Sequence, residues 1–340
     1  MKDFSRRLIE WQKRHGRHDL PWQQTRDPYA VWLSEIMLQQ TQVASVIPYY
    51  QRFIARFPDI ATLAAASQDE VLAHWSGLGY YARGRNLHRA AQLMAEQHGG
   101  LFPSDPESVM ALPGIGRSTA AAILAFAFGQ RRAILDGNVK RVLARCFGIA
   151  GHPGTKGVEN LLWQQAESLL PDSDIETYTQ ALMDLGATLC SRKPSCTDCP
   201  FVSGCVAYNE NRVAELPAPK PRKPLPQKET AMLVLLRHGE VYLEKRSPTG
   251  IWGGMWSLPE APVLETDSLA RLGMAGTEVS PLPERQHAFT HFRLCIVPRV
   301  FEVTVLLPGV REPGGLWLPP ADALGAALPK PVREILETLA

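Results

Sequence analysis

The segment LPGIGRSTAAAIL, residues 112–124, decides the fold of the first part of the chain. Pro113-Gly114 and Gly116 form a turn signal between two helix-like stretches, and Arg117 opens the second of them. Glycines in such a turn let the backbone approach a ligand, and the following helix N-terminus offers unpaired N–H groups to an anion. The segment therefore predicts a hairpin between two helices that suits a phosphodiester. A plain tight connection between helices is the alternative.

Helical patterns extend on both sides of this hairpin, and strand patterns follow later in the chain. Before residue 212 apolar residues recur at helical spacing. After residue 230 the chain contains β-rich pieces. The helical positions are Val31, Ile36, Leu38, Val71, Leu72, Trp75, Leu87, Ala91 and Met94, and the β-rich pieces are Thr230–Leu236, Val241–Lys245 and Ile296–Val305. The pattern predicts an all-α part followed by an α+β part.

A stretch with alternating prolines and basic residues separates the two parts. It contains Pro217, Pro219, Pro221, Pro224 and Pro226 and has neither helical nor alternating periodicity, so residues 212–229 are predicted to be an extended linker. A length of 340 residues agrees with two domains. The linker is basic and suits a phosphate backbone, although a solvated hinge is the simpler interpretation.

Composition excludes several classes of protein. The longest apolar run, Ala120–Phe128, is far shorter than the roughly 20 residues that span a bilayer, so no membrane association is expected. Charges occur throughout the N-terminal segment MKDFSRRLIEW, where a signal peptide would be apolar, so we expect a cytoplasmic protein. With 36 Lys+Arg against 34 Asp+Glu, bulk charge alone does not explain binding to nucleic acid.

Four of the six cysteines are spaced as metal ligands. They occur within sixteen residues as C-x5-C-x2-C-x5-C, at the end of the helical part. In the cytosol such thiols are typical of a metal centre rather than of disulfides. Zinc and an iron–sulfur cluster both remain open at this point, and either would be structural or would position DNA. The four ligands are Cys190, Cys196, Cys199 and Cys205.

Two carboxylates have neighbours that suggest chemistry. Glu35 follows Val31-Trp32-Leu33-Ser34 on an apolar helix, and burial there would raise its pKa toward that of a general acid at neutral pH. Asp136 lies in a turn before a basic helix, in the sequence LDGNVKR. The alternatives are that Glu35 points to solvent and that Asp136 is only an N-cap.

Together these motifs resemble the helix-hairpin-helix DNA glycosylases that carry a [4Fe–4S] cluster, and within that superfamily the adenine DNA glycosylases, or MutY family. The resemblance is carried by SEIMLQQTQV, GLGYYARGRNL, LPGIGRSTAAAIL, LDGNVKRVLARC and ALMDLGATLC. It implies a multidomain fold: an all-α helix-hairpin-helix glycosylase domain with an iron–sulfur loop in residues 1–211, the linker 212–229, and a NUDIX-like (MutT-like) α+β domain in residues 230–340. Within the first domain it implies a helical barrel part at about 25–135, and a cluster part made of the N-terminal helix and about 136–211.

The resemblance also implies the reaction. The enzyme would hydrolyse the N-glycosidic bond of adenine paired with 8-oxoguanine or guanine in double-stranded DNA, as part of base excision repair, and leave an abasic site. Glu35 would protonate the adenine ring nitrogen N7, Asp136 would stabilise the charge on the sugar, and Asn138 would help to hold both. One [4Fe–4S] cluster would be held by the four cysteines, although the family has six residues between the first two ligands and this chain has five.

Further residues match family positions that bind DNA. Gln40 and Tyr80 match residues that wedge into the helix beside the orphaned partner base, and Leu78 would assist them. Trp22, Leu38 and Val43 resemble the apolar walls of the adenine pocket. The hairpin contains Gly114, Gly116 and Ser118. Three arginines at near-helical spacing either contact phosphate or lie on a solvated helix face: Arg83, Arg85 and Arg89.

In the C-terminal part, LEKR (243–246) and WGGMWSLP (252–259) resemble the NUDIX-like domain of the same family. The stretch 264–278 lacks the REXXEE carboxylates that hold Mg²⁺ in NUDIX hydrolases, so binding without hydrolysis is expected. Phe289-Thr290-His291 matches the family loop that contacts 8-oxoguanine, and the alternative is a core Phe with a surface His.

The sequence disfavours three other functions. A glycosylase/lyase for oxidised bases is disfavoured because that branch has a lysine nucleophile where this chain has Ser118. A non-catalytic iron–sulfur protein is disfavoured by the pair Glu35 and Asp136, and a nucleotide-pool hydrolase by the missing carboxylates. We expect a monomer associated with the nucleoid, and no motif indicates a protein partner.

Overall fold

The computed structural model describes residues 3–220, 224–265, 267–279, 281–307 and 315–339. Its contacts divide the chain into two compact units. The first comprises residues 1–65 and 86–222, and the second comprises residues 66–85 and 223–340. The domains predicted from the sequence were continuous ranges and did not place residues 66–85 with the C-terminal part. The structure groups them because this segment contacts residues more than 150 positions later in the chain.

Helices make up the regular structure of the first unit, as the sequence predicted. Each begins or ends where the local sequence requires it: Asp27 accepts a hydrogen bond from the Tyr29 N–H, and Gly129 adopts left-handed φ of 64° at a helix end. The helices are α1 Phe4–His15, α2 Pro28–Leu38, α3 Val43–Arg56, α4 Ile60–Ala65, α5 Gln68–Trp75, α6 Ala82–Gln97, α7 Pro106–Ala111, α8 Arg117–Phe128, α9 Gly137–Phe147, α10 Lys156–Ser168, α11 Ile175–Thr188 and α12 Val206–Asn209, of which α5 and the start of α6 belong to the second unit. Short 3₁₀ turns occupy Pro21–Gln24, Cys196–Asp198 and Val202–Gly204.

A core between α1, α8, α9, α10 and α11 holds much of this unit together. Its centre contains fully buried residues such as Leu8, Val142 and Leu185. Burial of a large apolar side chain contributes about 1.5–3 kcal/mol, so this core fixes α8 and α9 relative to α11. The hairpin before α8 and the turn before α9 therefore stand on a rigid support.

The second unit contains a mixed sheet, again as predicted. Strand order is β3-β2-β1-β7-β5, with β4 on β1, β6 on β7 and β8 on β2. The central pair β1 and β7 is parallel, and the other pairs are antiparallel. The strands are β1 Gln227–Arg237, β2 Glu240–Lys245, β3 Trp256–Ser257, β4 Glu260–Ala261, β5 Met274–Glu278, β6 Arg285–Ala288, β7 Arg293–Leu306 and β8 Gly315–Leu318, and the helices are α13 Ser268–Arg271, α14 Pro320–Ala323 and α15 Lys330–Leu336.

Within the described residues of the proline-rich stretch 212–229, Leu216 is buried and the others are partly or fully exposed. Leu216 is only 3% exposed, and its carbonyl accepts a hydrogen bond of 2.8 Å from Arg145 Nε. The Ala218 N–H donates to the Gly151 carbonyl, and β1 already begins at Gln227. The proline and lysine content of the stretch did not indicate that Leu216 anchors it to the first unit. Residues 221–223 of the predicted linker lie outside the described residues.

No helix in the described part of the chain is long and apolar enough to cross a membrane.

Candidate active site

A cavity of about 500 Å³ lies within the first unit. Its wall combines α2, α11 and the segment between α1 and α2. Trp22, Leu38 and Val43, the three predicted pocket residues, all line it, and so does Glu35. The other lining residues are Gln12, Arg17, His18, Leu20, Gln23, Gln24, Thr25, Arg26, Val31, Ser34, Phe126, Glu176, Thr177, Gln180 and Met183.

Glu35 lies in the wall of this cavity on α2. Its neighbours Ser34, Ile36 and Met37 are buried, and its own side chain is only partly accessible. Burial, together with the smaller effect of the negative charge of Asp136, raises the pKa of Glu35 to about 8. The carboxyl group is therefore protonated at neutral pH, and the alternative of a solvent-facing Glu35 is wrong in this structure.

Asp136 lies at the N-terminus of α9 and acts as its N-cap. Oδ1 accepts a hydrogen bond of 2.7 Å from the Val139 N–H. Burial raises the pKa of Asp136, while hydrogen bonds from the Val139 and Asn138 amides and the charges of Arg141 and Lys140 lower it. Capping and a catalytic role are thus compatible here, because the groups that cap the helix also stabilise the ionised carboxylate.

Asn138 is held behind Asp136 by a contact with α11. Its Oδ1 accepts a hydrogen bond of 2.9 Å from Arg141 Nη2, which also donates to the Gly186 carbonyl at 2.7 Å. A Cβ on Gly186 would come within 2.6 Å of the Asn138 Cβ. The first turn of α9 therefore packs directly on α11.

The hairpin predicted from LPGIG is present between α7 and α8. Gly114 has φ of +82°, and a Cβ there would lie 3.0 Å from the Asn86 Cβ. Gly116 faces open space and caps α8 without any side-chain hydrogen bond to the first turn. This arrangement leaves the N–H groups at the start of α8 open to an anion, as the sequence predicted.

Ser118 has a contact that the sequence did not predict. Its Oγ accepts a hydrogen bond of 2.9 Å from the N–H of Leu135, the residue directly before Asp136. The hydroxyl thus joins the first turn of α8 to the turn that carries Asp136.

Two of the three predicted wedge residues are exposed in strained backbone. Gln40 has φ of 58° and Tyr80 has φ of 50°, and the Tyr80 side chain is 46% exposed. A left-handed aromatic residue is an outlier that proteins retain mostly at functional sites. Leu78, the third, is 7% exposed, and its part in wedging stays a prediction.

The guanidinium groups of Arg83 and Arg85 both bind protein atoms, and contact of these arginines with phosphate stays a prediction. Arg83 donates to the Gly79 carbonyl and lies over the rings of Trp75 and Tyr80, and Arg85 donates to the Gly253 carbonyl. Arg89 remains exposed on α6 beside Glu96.

A buried carboxylate that holds two residues of the cavity wall was not predicted from the sequence. Asp184 on α11 accepts hydrogen bonds from the Arg17 N–H at 2.9 Å, Arg17 Nε at 2.7 Å and Gln180 Nε2 at 2.8 Å. Arg17 and Gln180 both line the cavity. The i, i+4 spacing of Gln180 and Asp184 on an otherwise apolar helix face was the available signal.

All four predicted ligand cysteines line one small cavity in the first unit. Arg145 Nη1 donates toward Cys190 Sγ at 3.5 Å, and Cys205 Sγ lies 3.4 Å from the Arg145 carbonyl. Within the described residues, no three His, Cys, Asp or Glu side chains are arranged to hold a single metal ion. The thiols thus surround a common space without meeting at one point.

Phe289-Thr290-His291 forms the turn between β6 and β7. The Phe289 N–H donates to the Phe292 carbonyl, and the two rings stack with centroids 4.6 Å apart. Thr290 and His291 are exposed at the tip, whereas Phe289 is partly buried against Trp252. Two of the three residues are therefore available to a ligand.

Comparison with known proteins agrees with this geometry. Residues 33–168 match the model of the HhH-GPD superfamily of base excision DNA repair proteins, and residues 230–338 match the NUDIX domain. The adenine DNA glycosylase of Buchnera aphidicola subsp. Acyrthosiphon pisum is 37% identical over 98% of this chain and 97% of its own length. The adenine DNA glycosylase of Homo sapiens is 32% identical over 98% of this chain and 73% of its own.

Solved structures match the helical part. A thermostable thymine-DNA glycosylase has a TM-score of 0.55 and 29% identity over 61% of this chain and 95% of its own. An endonuclease III in complex with DNA has a TM-score of 0.53 and 20% identity over 61% of this chain and 94% of its own, which supports the fold only.

The fold and the matched models define a DNA glycosylase of base excision repair. Relatives above 30% identity over nearly the whole chain narrow this class, and the chain belongs to the adenine DNA glycosylase family. The resemblance inferred from the sequence motifs is confirmed.

Proposed function

We propose that this enzyme releases adenine paired with 8-oxoguanine or with guanine in double-stranded DNA. The observation that carries the proposal is Glu35, an acid with a pKa of about 8 in the wall of a cavity large enough for a nucleobase. The names of the relatives support adenine as the base.

The two carboxyl groups divide the work of glycosidic cleavage. Protonated Glu35 donates its proton to N7 of the extruded adenine, and the C1′–N9 bond breaks with its electrons going to the base. The sugar becomes positively charged, and ionised Asp136 stabilises it. Glu35, now a carboxylate, accepts a proton from water as its oxygen bonds to C1′. Adenine and an abasic site are the products.

The rate should have a bell-shaped dependence on pH. Since Glu35 must be protonated, activity should fall as pH rises through about 8. Asp136 must be ionised, and its pKa is raised. Activity should therefore also fall as the pH decreases, at a pH above the ordinary pKa of an aspartate. Single-turnover rates between pH 5 and 9.5 check this. An alkaline limb that moves to lower pH in an Asp136→Asn variant, which lacks one cause of the raised pKa, and that vanishes in Glu35→Gln would assign it to Glu35. A flat profile to pH 9.5 would contradict the assignment.

We further propose that the enzyme has no lyase activity. Ser118 cannot form a Schiff base, and its hydroxyl is already bonded to the Leu135 N–H. Lys140, the nearest lysine to Asp136 in sequence, is paired with Glu159 at 2.6 Å.

An end-labelled duplex with adenine opposite 8-oxoguanine tests both proposals. Incubation with enzyme should produce breaks at the adenine only after hot alkali. Breaks without alkali would show a lyase, and a Lys140→Ala variant would then identify the nucleophile. Intact DNA under both conditions would disprove adenine release.

We propose that the four cysteines hold one [4Fe–4S] cluster. Four cysteines that lie within sixteen residues line one shared cavity, so the loop that carries them can place four thiolates around a single centre. The donor set of four thiolates with an arginine nearby suits a cluster. When bound, the cluster would cross-link the loop 190–205 and hold its shape; the carboxyl chemistry above does not use it.

Iron, zinc and acid-labile sulfide content of the purified protein distinguish the two metals. We expect about four iron atoms and four sulfides per chain with charge-transfer absorption in the visible region. A Cys199→Ala variant should lose both, and Cys295→Ala, outside the loop, should lose neither. One zinc per chain without sulfide would contradict the proposal.

The NUDIX-type unit is proposed to recognise the partner base rather than to hydrolyse nucleotides. The exposed tip at Thr290 and His291 supports contact with a base.

A further inference from the structure

The turn that carries Tyr80 belongs to the same compact unit as the sheet of residues 227–318. Polar contacts fasten both flanks of this turn to that sheet and its loops. We propose that these contacts, which we call the 69–85 clamp (Asp69, Ser76 and Arg85 with their partners), make the Tyr80 turn and the Phe289-Thr290-His291 turn a single reader of the partner base. This inference rests on the proposed function and adds residues that determine its specificity.

The first contact lies before the turn, on α5. Lys245 Nζ, at the end of β2, lies 2.6 and 2.7 Å from the two carboxylate oxygens of Asp69. Gly254 lies beside α5, with the Gln68 side chain near its Cα, and its φ of +73° favours glycine.

The second contact lies at the end of α5. Ser76 Oγ donates to the Leu328 carbonyl at 2.9 Å and accepts from Arg333 Nη2 at 3.4 Å. Arg333 is itself fixed by a hydrogen bond of 2.9 Å to the Leu324 carbonyl.

The third contact lies after the turn, on α6, and leads to the Phe289-Thr290-His291 turn. Arg85 Nη1 donates to the Gly253 carbonyl at 2.8 Å, and burial lowers the pKa of this guanidinium without discharging it. The preceding residue, Trp252, packs its ring 5.3 Å from Phe289 and 5.5 Å from His287. A short packed path therefore joins Arg85 to the exposed tip at Thr290.

The turn itself is rigid between these anchors. Trp75 Nε1 and Arg83 Nη2 each donate to the Gly79 carbonyl at 3.2 Å, and the Arg83 guanidinium lies 5.3 Å from the centre of the Tyr80 ring. Because the turn is held at both ends, the position of Tyr80 depends on that of the 289–291 turn. Contact of the 289–291 turn with 8-oxoguanine would therefore also position Tyr80. The preference for 8-oxoguanine over guanine should therefore depend on the clamp.

Charge reversal of the Asp69–Lys245 pair tests this. Asp69→Lys and Lys245→Asp should each reduce the ratio of kcat/KM for adenine opposite 8-oxoguanine to that opposite guanine by roughly tenfold, with the loss in the 8-oxoguanine arm. The double variant D69K/K245D restores the attraction and should restore most of the ratio. Arg85→Met should act like the single variants. Lys13→Asp, which breaks an exposed ion pair with Asp174 in the first unit, is the matched control and should leave the ratio unchanged.

Unfolding midpoints and circular dichroism identify variants that fail to fold. If a single variant does not fold, the ratio of the double variant is compared with that of the wild type. An unchanged ratio in folded single variants would overturn the inference, and so would an equal loss on both substrates or a double variant no better than the singles. If the wild-type enzyme releases adenine from neither duplex, the proposed function itself is wrong.

Discussion

Replacing Glu35 by glutamine should reduce the single-turnover rate of adenine release by roughly 10²–10⁴-fold, the usual contribution of a general acid. The glutamine keeps the size of the side chain but has no proton to donate at N7. Binding of the same duplex, measured by mobility shift, should stay within a few-fold of the wild type because the cavity and the hairpin are unaltered.

The same substitution should make the protein more stable at neutral pH. The pKa of Glu35 is about 8 when folded and near 4.5 when unfolded, so the unfolded chain holds fewer protons between these values. The free energy of unfolding therefore decreases as pH rises from about 4.5 to 8, and glutamine removes this dependence. Urea titrations at pH 5 and pH 8 measure it.

A control and a contradicting result complete this test. Glu10→Gln changes an exposed glutamate on α1 and should affect neither rate nor stability appreciably. If Glu35→Gln kept more than a tenth of the wild-type rate, Glu35 would not be the general acid.

Replacing Asp184 by alanine should destabilise the protein by about 3–5 kcal/mol, the cost of removing one partner of a buried ion pair. Its side chain is fully buried and accepts three hydrogen bonds from Arg17 and Gln180. Alanine would leave these donors without an acceptor. Thermal unfolding should shift down by roughly 10 °C.

Activity should fall as well, because Arg17 and Gln180 form part of the cavity wall. Asp184→Asn keeps the shape and one acceptor oxygen, so we expect an intermediate loss in both measurements. Asp172→Ala removes an exposed carboxylate that lies 3.8 Å from Arg131 and should change stability by less than about 0.5 kcal/mol. Equal stability of Asp184→Ala and Asp172→Ala would show that the buried pair is not needed to hold the wall.

Much of the fold could be predicted from the sequence. Helical spacing in residues 28–97, the strand at 230–236 and the glycine turn at 114–116 are local signals, and each produced the expected element. The shared cavity of the four clustered cysteines was also predictable, since spacing within sixteen residues keeps them close whatever the rest of the chain does. Motif order along the chain identified the family.

The site was predicted less completely. Glu35 and Asp136 were found as residue types beside suitable neighbours, but Gln180, Asp184 and Arg17 were not, since their contact joins α11 to a segment 167 positions earlier. The burial of Leu78 and the hydrogen bond from Arg85 to the Gly253 carbonyl also depend on distant segments and could not be predicted from local sequence.

The sequence alone determined the elements, the order of the two parts and the family, because local periodicity and spacing depend only on near neighbours. The tertiary structure decided which carboxyl group has a pKa above neutral pH, which arginines bind protein atoms and which turn is bonded to the unit that contains the sheet. These properties depend on burial and on contacts between distant segments, because desolvation sets a pKa and partners far along the chain set the position of a side chain.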